Sequence, residues 1–334
     1  MTGVALVGTN VQEAIRSLAG DHLGGRKIRV VVLAMSKDDN PKALVLVFAD
    51  GEDQPSLAIK VGLTAAASAA VTKEAQFLSA VAQVDPGRVN GTIPRVVEIR
   101  EVGSAALLAM TAHPGTPMSV DYHRWGHTSR SESVAEDFRM SAGWLAAVAA
   151  LPVVPVLACG WADRLRLRWA DHGACAAAAA VTEALEQRLL IERATGLMHG
   201  DFWCGNVLRA QGRISGVVDW EHAVIGGDPL RDRVRFALAY SLYLDRHARP
   251  GTPVKGHPGL VANTWGDGIR YAFGGTGWYS ALVREYVGEG LASSGRSAQA
   301  WRDALLLGLS EIAVLSDQED FARRHLELLA ELTS

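Results

Sequence analysis

Cysteine is scarce: three occur in 334 residues, Cys159, Cys175 and Cys204. Their odd number and their spacing fit no metal or redox motif, which points to a reducing compartment. A charge excess of either sign is also missing, since 33 basic residues meet 36 acidic ones for a net −3. That balance argues against a nucleic-acid partner, which would need a basic face, and it does not suggest a disordered acidic chain. The first residues, MTGVALVGTNVQEAIRSLAG, have no basic segment ahead of an apolar core, so they do not read as a signal peptide. Residues 141–162 carry no charge and could span a membrane on length alone. Pro152 and Pro155 interrupt that run and alanine and glycine dilute it, so it reads as a buried helix ending near Leu151, followed by a loop. The expectation is a soluble, cytoplasmic protein with no membrane contact and no obligate protein partner.

What is present is enough apolar material for a real core: hydrophobic residues make up 49%. Residues 10–20 have the pattern of a short amphipathic helix. KIRVVVLAM, ALVLVFAD and SLAIKVG read as three β-rich runs, separated by the turn segments SKDDNPK and GEDQP. TKEAQFLSAVAQV has helical spacing, and RVVEIR and ALLAMTA add two strands around an EVG turn. After HPGTPM the character changes. Helical patterns appear near 131–151, 173–194, 229–244, 278–292, 297–315 and 318–332, and only 197–199, 206–209 and 214–218 look extended. The expected architecture is α+β: a small β-rich lobe over residues 1–112, and a larger, mainly helical lobe over 113–334.

The segment LMHGDFWCGNVL places His199, Asp201 and Asn206 in an apolar, strand-like context, where unpartnered polar groups would cost several kcal/mol each. Asp219 follows Asn206 by thirteen positions, in GVVDWEHAVIGGDPLRD. Taken alone, Asp201 reads as a cap in a hydrogen-bonded turn. With Asn206 and Asp219 in register, the pattern H-x-D-x-x-x-x-N followed by a distant aspartate is that of a kinase catalytic loop and its metal-binding acid. A zinc site built from His199, Asp201 and Cys204 fits no common spacing.

On these residues the chain resembles the aminoglycoside phosphotransferase family, which shares its fold with protein kinases and with choline and fructosamine kinases. The resemblance implies a bilobal protein-kinase-like fold and phosphoryl transfer from ATP (or GTP) with Mg²⁺ to a small-molecule hydroxyl. Asp201 would then accept the proton of the incoming hydroxyl, and Asn206 and Asp219 would hold the metal. His199 would brace the loop, and Asp232 would tether it. Gly200 stands where protein kinases carry an arginine and DWE replaces D-F-G, which argues against a protein substrate.

Lys60, in SLAIKVG, resembles the strand lysine that holds nucleotide phosphates, and Glu74, fourteen residues on, would be its helix partner. No G-x-G-x-x-G loop is present; backbone near Ser36 and Lys37 is the candidate phosphate cover. Met110, Thr111, Ala112 and His113 would form the passage that contacts the adenine. Asp228 and Pro229 read as a helix start.

The acceptor is less legible. Trp203, Glu221, Trp265, Asp317, Glu319 and Asp320 are the candidates, the last three as a carboxylate lining for a polycation. Yet 14 acids against 12 bases follow Trp220, so this lobe is not conspicuously acidic. The Gly- and Pro-rich stretch 245–280, with its aromatic residues, is either a binding element or packing material. The reading is a phosphotransferase for an antibiotic-like compound, with a metabolite kinase for a sugar, nucleoside or amino alcohol as the alternative. A nucleotide-binding pseudokinase is the non-catalytic rival.

Overall fold

The alternation along KALVLVFA decides the first sheet: Ala43, Val45, Val47 and Ala49 are buried, and the residues between them are not. The computed structural model describes residues 9–35, 40–85, 87–151, 160–189 and 196–334. The chain divides into two compact units, Met1–Thr116 with Leu208–Ala223, and Pro117–Val207 with Val224–Ser334.

In the first unit, helix α1 (Thr9–His22) precedes strands β1 (Ile28–Met35), β2 (Lys42–Ala49) and β3 (Leu57–Gly62). Helix α2 (Ala65–Val84) and strands β4 (Val96–Val102) and β5 (Ala105–Thr111) follow. The five strands form one antiparallel sheet in the order β1-β2-β3-β5-β4. Ile15 and Leu18 of α1 join Val45, Val47, Ile59 and Leu107 in one core cluster. Helix α2 opens with Thr64, whose hydroxyl accepts the Ala67 N–H at 3.1 Å, satisfying one of the free first-turn donors. The returning segment carries strand Arg213–Val217, and the Val217 N–H donates to the Thr92 carbonyl at 2.8 Å.

In the second unit α3 (Ser131–Ala149), α4 (Trp161–Arg168) and α5 (Cys175–Leu189) lead to strand β6 (Gly196–Met198), which pairs antiparallel with β7 (Val224–Gly227). Then come α6 (Leu230–Leu242), α7 (Asp267–Gly274), α8 (Trp278–Ser293), α9 (Trp301–Leu315) and α10 (Glu319–Thr333). Phe138, Phe236, Tyr240, Tyr279 and Tyr286 pack edge-to-face or tilted in its core.

Three expectations shift. Helix α3 ends at Ala149, and the prolines of the uncharged run lie outside the described residues. Helix α6 begins at Leu230 with Pro229 in the cap position, while Asp228 accepts the Leu230 N–H at 3.0 Å and pairs with Arg296 at 2.8 Å. The stretch 245–280 is not open loop: it contains α7 and a two-residue strand pair, Thr252–Pro253 with Val261–Ala262. Among the described residues no helix is long and apolar enough to cross a membrane.

Candidate active site

In the first unit β3 presents Lys60 opposite Leu44 on one side and Leu108 on the other. Its ammonium donates to Glu74 Oε2 at 2.5 Å and to Asp219 Oδ1 at 2.7 Å. Burial alone would push the Lys60 ammonium down. The charges of Asp219 and Glu74 outweigh that and hold it above its ordinary range, so it stays cationic. Glu74 is wholly buried on α2, and burial pushes its carboxyl up against the pull of Lys60. Its second oxygen accepts the Trp220 N–H at 3.0 Å, and the Trp220 indole stacks on Phe77 with centroids 5.5 Å apart. Asp219, the residue before, has φ of 73°. A non-glycine residue there costs about 1–3 kcal/mol, and such strain concentrates where a side chain must be aimed. Its side chain remains 38% exposed.

Glu221, expected at the acceptor, is instead bound by Lys42 of β2, both side chains being nearly buried, and His222 approaches it at 3.5 Å. Met110 is buried at the end of β5. Thr111 donates its N–H to the Arg95 carbonyl and accepts the Arg95 N–H on its hydroxyl, both at 2.9 Å. Ala112 and His113 continue from there, and the His113 ring fills the space a Cβ on Gly216 would occupy, 2.6 Å from His113 Cβ. Ser36 and Lys37 lie outside the described residues.

In the second unit β6 runs into the loop His199–Asn206. Asp232, on the first turn of α6, accepts the His199 N–H at 2.6 Å and the Gly200 N–H at 2.8 Å. Gly200 has φ of 83°, so the backbone itself demands glycine where protein kinases have arginine. The buried His199 accepts the Asp201 N–H on Nδ1 at 3.2 Å. Asn206 Nδ2 donates to the Asp201 carbonyl at 2.9 Å and to Oδ2 at 3.1 Å, which turns its own carbonyl oxygen away from that contact. Arg235 grips Asp201 Oδ1 with Nη2 at 2.7 Å and Nε at 3.0 Å. Arg235 is not among the residues expected from the motif. Its signal was there: it lies three residues after Asp232 on the same helix face.

A family model described as "APH: Phosphotransferase enzyme family" matches residues 43–252. The chain belongs to that family. It is an enzyme, a small-molecule phosphotransferase. Its fold is α+β and protein-kinase-like, as in the aminoglycoside phosphotransferase APH(3'')-Id from Streptomyces rimosus ATCC10970. That structure matches with a TM-score of 0.53 at 17% identity, over 96% of this chain and 98% of the other. The same Streptomyces protein in complex with ADP and streptomycin matches with a TM-score of 0.51 at 16% identity, over 95% and 98% of the two chains. A candidate fructosamine-3-kinase from Thermobifida fusca YX-ER1 matches with a TM-score of 0.51 at 17% identity, over 98% and 99%. No curated protein is close enough in sequence to count as a match.

The remaining acceptor candidates of this phosphotransferase are not drawn into one carboxylate lining. Asp317, Glu319 and Asp320 are exposed at the start of α10, and Asp320 is engaged by Arg323 and, at 2.8 Å, by Arg324. Trp265 packs edge-on against His325, centroids 4.9 Å apart, and against Phe321. Trp203 is half-buried, its indole filling the space a Cβ on Gly205 would take. Burial pushes the Cys204 thiol up to about 12, so it stays protonated and is a poor metal ligand.

Proposed function

We propose that this phosphotransferase moves the γ-phosphate of ATP, with Mg²⁺, to a hydroxyl of a small molecule. The observation that carries the reading is Lys60, which joins Glu74, 14 residues away, to Asp219, 159 residues away. A cation kept charged by two acids is the arrangement that grips phosphate oxygens while its own carboxylate partners fix its direction.

The donor chemistry fits magnesium. Asp219 offers a partly exposed carboxylate, and Asn206 offers an amide oxygen left over after its N–H groups bind Asp201; each is a hard oxygen suited to Mg²⁺. When bound, the ion would neutralise charge on the phosphates. Asp201 would orient the acceptor hydroxyl and take its proton, a role that typically contributes about 10²–10⁴ in rate. Arg235 and Asn206 hold the carboxylate in one rotamer for that task. The Asp232 tether holds the loop backbone.

An antibiotic-like natural product remains the first acceptor class, giving resistance or self-protection. Asp317, Glu319 and Asp320 are exposed and Asp320 is engaged by arginines, so they lend a polycationic aminoglycoside no support, which keeps a sugar, nucleoside or amino alcohol metabolite as the second reading. ADP release measured with aminoglycosides, nucleosides, macrolides and sugars tests the proposal. Release that depends on one of these acceptors, and that disappears in Asp201→Ala, supports transfer. ATP binding with no acceptor-dependent ADP, unchanged by Asp201→Ala, would make the chain a nucleotide-binding regulator instead.

A further inference from the structure

A cavity of about 250 Å³ opens in the second unit between the loop that follows helix Met118–Tyr122 and the segment that follows α6. Trp125, Ser129, Leu244, His247, Arg249 and Lys255 line it, and no acidic side chain does. Trp125 is 78% exposed, and the Lys255 ammonium stands 5.8 Å from the centre of its indole. Its exposed indole face beside a cation is a surface on which a ring can stack.

The cations around it are uncompensated. Among the described residues Arg246, Arg249 and Lys255 make no ion pair. Arg246 donates instead to His123 Nε2 at 3.0 Å, and the His123 and His247 rings meet at 6.1 Å. Burial, then the neighbouring Arg246 and His247, push His123 down, as a surplus of positive charge requires. Asp245, the one acid on this stretch, is half-buried beside Tyr122 and does not line the cavity.

The cavity wall is built before any ligand arrives. His257 bonds the Thr128 carbonyl at 2.8 Å, and the Trp278 indole N–H donates to the Gly256 carbonyl at 2.9 Å. Both walls of the cavity continue into the catalytic loop. The Ser119 N–H of helix Met118–Tyr122 donates to the Cys204 carbonyl at 2.9 Å, and α6, whose Arg235 grips Asp201 at 2.7 Å, leads into Leu244 and His247 of the lining.

We infer that this cavity binds the acceptor, and that the acceptor is an anionic, ring-bearing alcohol. The ring stacks on Trp125, and a phosphate or carboxylate sits between Arg249 and Lys255. This rests on the phosphotransferase reading above and narrows its substrate class. About 250 Å³ holds one sugar or nucleoside moiety with its charged group.

Calorimetric titration of the full chain with matched probes tests it: uridine against uridine 5′-monophosphate, and glucose against glucuronic acid and glucosamine. The anionic member of each set binds about tenfold tighter or better, and 0.5 M salt erodes the difference. Arg249→Gln with Lys255→Gln removes the preference, and Trp125→Ala weakens every ring-bearing probe; ATP affinity in these variants stays at the wild-type value. Equal or tighter binding of glucosamine, no binding of any anionic probe, or a preference that survives the double substitution would overturn the inference. The titration does not depend on turnover, so the two readings fail separately. Transfer to cationic acceptors alone sinks this inference and leaves phosphotransfer standing, whereas anion binding in the cavity without any acceptor-dependent ADP does the reverse.

Discussion

The Lys60–Glu74 pair allows a quantitative test of how the first unit is held. Glu74 is fully buried, and the Lys60 side chain is 11% exposed. Breaking a buried pair by removing one partner costs about 3–5 kcal/mol, because the other charge is stranded. The two halves are not equivalent here. In Glu74→Leu, Lys60 keeps Asp219 at 2.7 Å, so the loss falls short of that range, at about 2 kcal/mol. In Lys60→Met, Glu74 keeps the Trp220 N–H and faces the like charge of Asp219, so the full ~3–5 kcal/mol applies. Removing both together strands neither charge of the pair, although Asp219 and the Trp220 N–H each lose a partner, so the double variant is more stable than the two single losses summed, by about 2 kcal/mol or more. Urea unfolding followed by tryptophan fluorescence measures all four proteins, with Trp220 among the reporters. Additivity within about 0.5 kcal/mol would show that the two side chains are not coupled and would refute the reasoning.

Asp232 gives a pH signature. Burial pushes its carboxyl up to about 7, against the pull of the His199 and Gly200 amides. The folded chain therefore holds this proton more tightly than the unfolded chain, and stability from this group falls as pH rises from about 4 to 7. His325 works in the opposite sense: burial lowers it to about 3, so its contribution falls as pH drops below about 6.5. Asp232→Asn separates them, and its stability should lack about 1.4 kcal/mol per pH unit of downward slope present in the wild type; parallel pH profiles would contradict the assignment. Arg235→Ala frees the Asp201 carboxylate, so kcat should fall about 10- to 100-fold with KM for ATP unchanged, and Arg235→Lys should recover part of it. Steady-state kinetics check this, and a rise in KM for ATP alone would move Arg235 to nucleotide binding.

Elements with a strong period were legible from the chain alone. The alternation in ALVLVFAD and the helical spacing in TKEAQFLSAVAQV mark β2 and α2 from Thr72 on, without the alanine-rich first turns of α2, and hydrophobic runs mark α8 to α10 at the C-terminal end of the second unit. Weakly periodic elements were missed for physical reasons. Strand β7 is four residues long and ends in two glycines, and α7 lies inside a Gly- and Pro-rich stretch that reads as loop until its packing partners are known. Local motifs also carried Asp201 and Asn206, and fold resemblance carried Lys60, Glu74 and Asp219. The Lys42–Glu221 pair, 179 residues apart, has no local signature at all. The cationic character of the Trp125 cavity was hidden the same way, since Arg246, Arg249 and Lys255 sit in a loop whose neighbours only folding supplies.

On the proposed reading Asp219 serves the nucleotide and Asp201 the acceptor, and one pair of substitutions separates the two. Asp201→Asn and Asp219→Asn both remove a single charge, and asparagine tolerates the φ of 73° at position 219. Mg²⁺–ATP affinity and phosphoryl transfer are then measured side by side. Asp201→Asn should keep affinity within about twofold of wild type and lose transfer by about 10²–10⁴; Asp219→Asn should lose affinity itself, about tenfold or more. Equal loss of ATP affinity in both proteins, or transfer surviving in Asp201→Asn, would contradict the account.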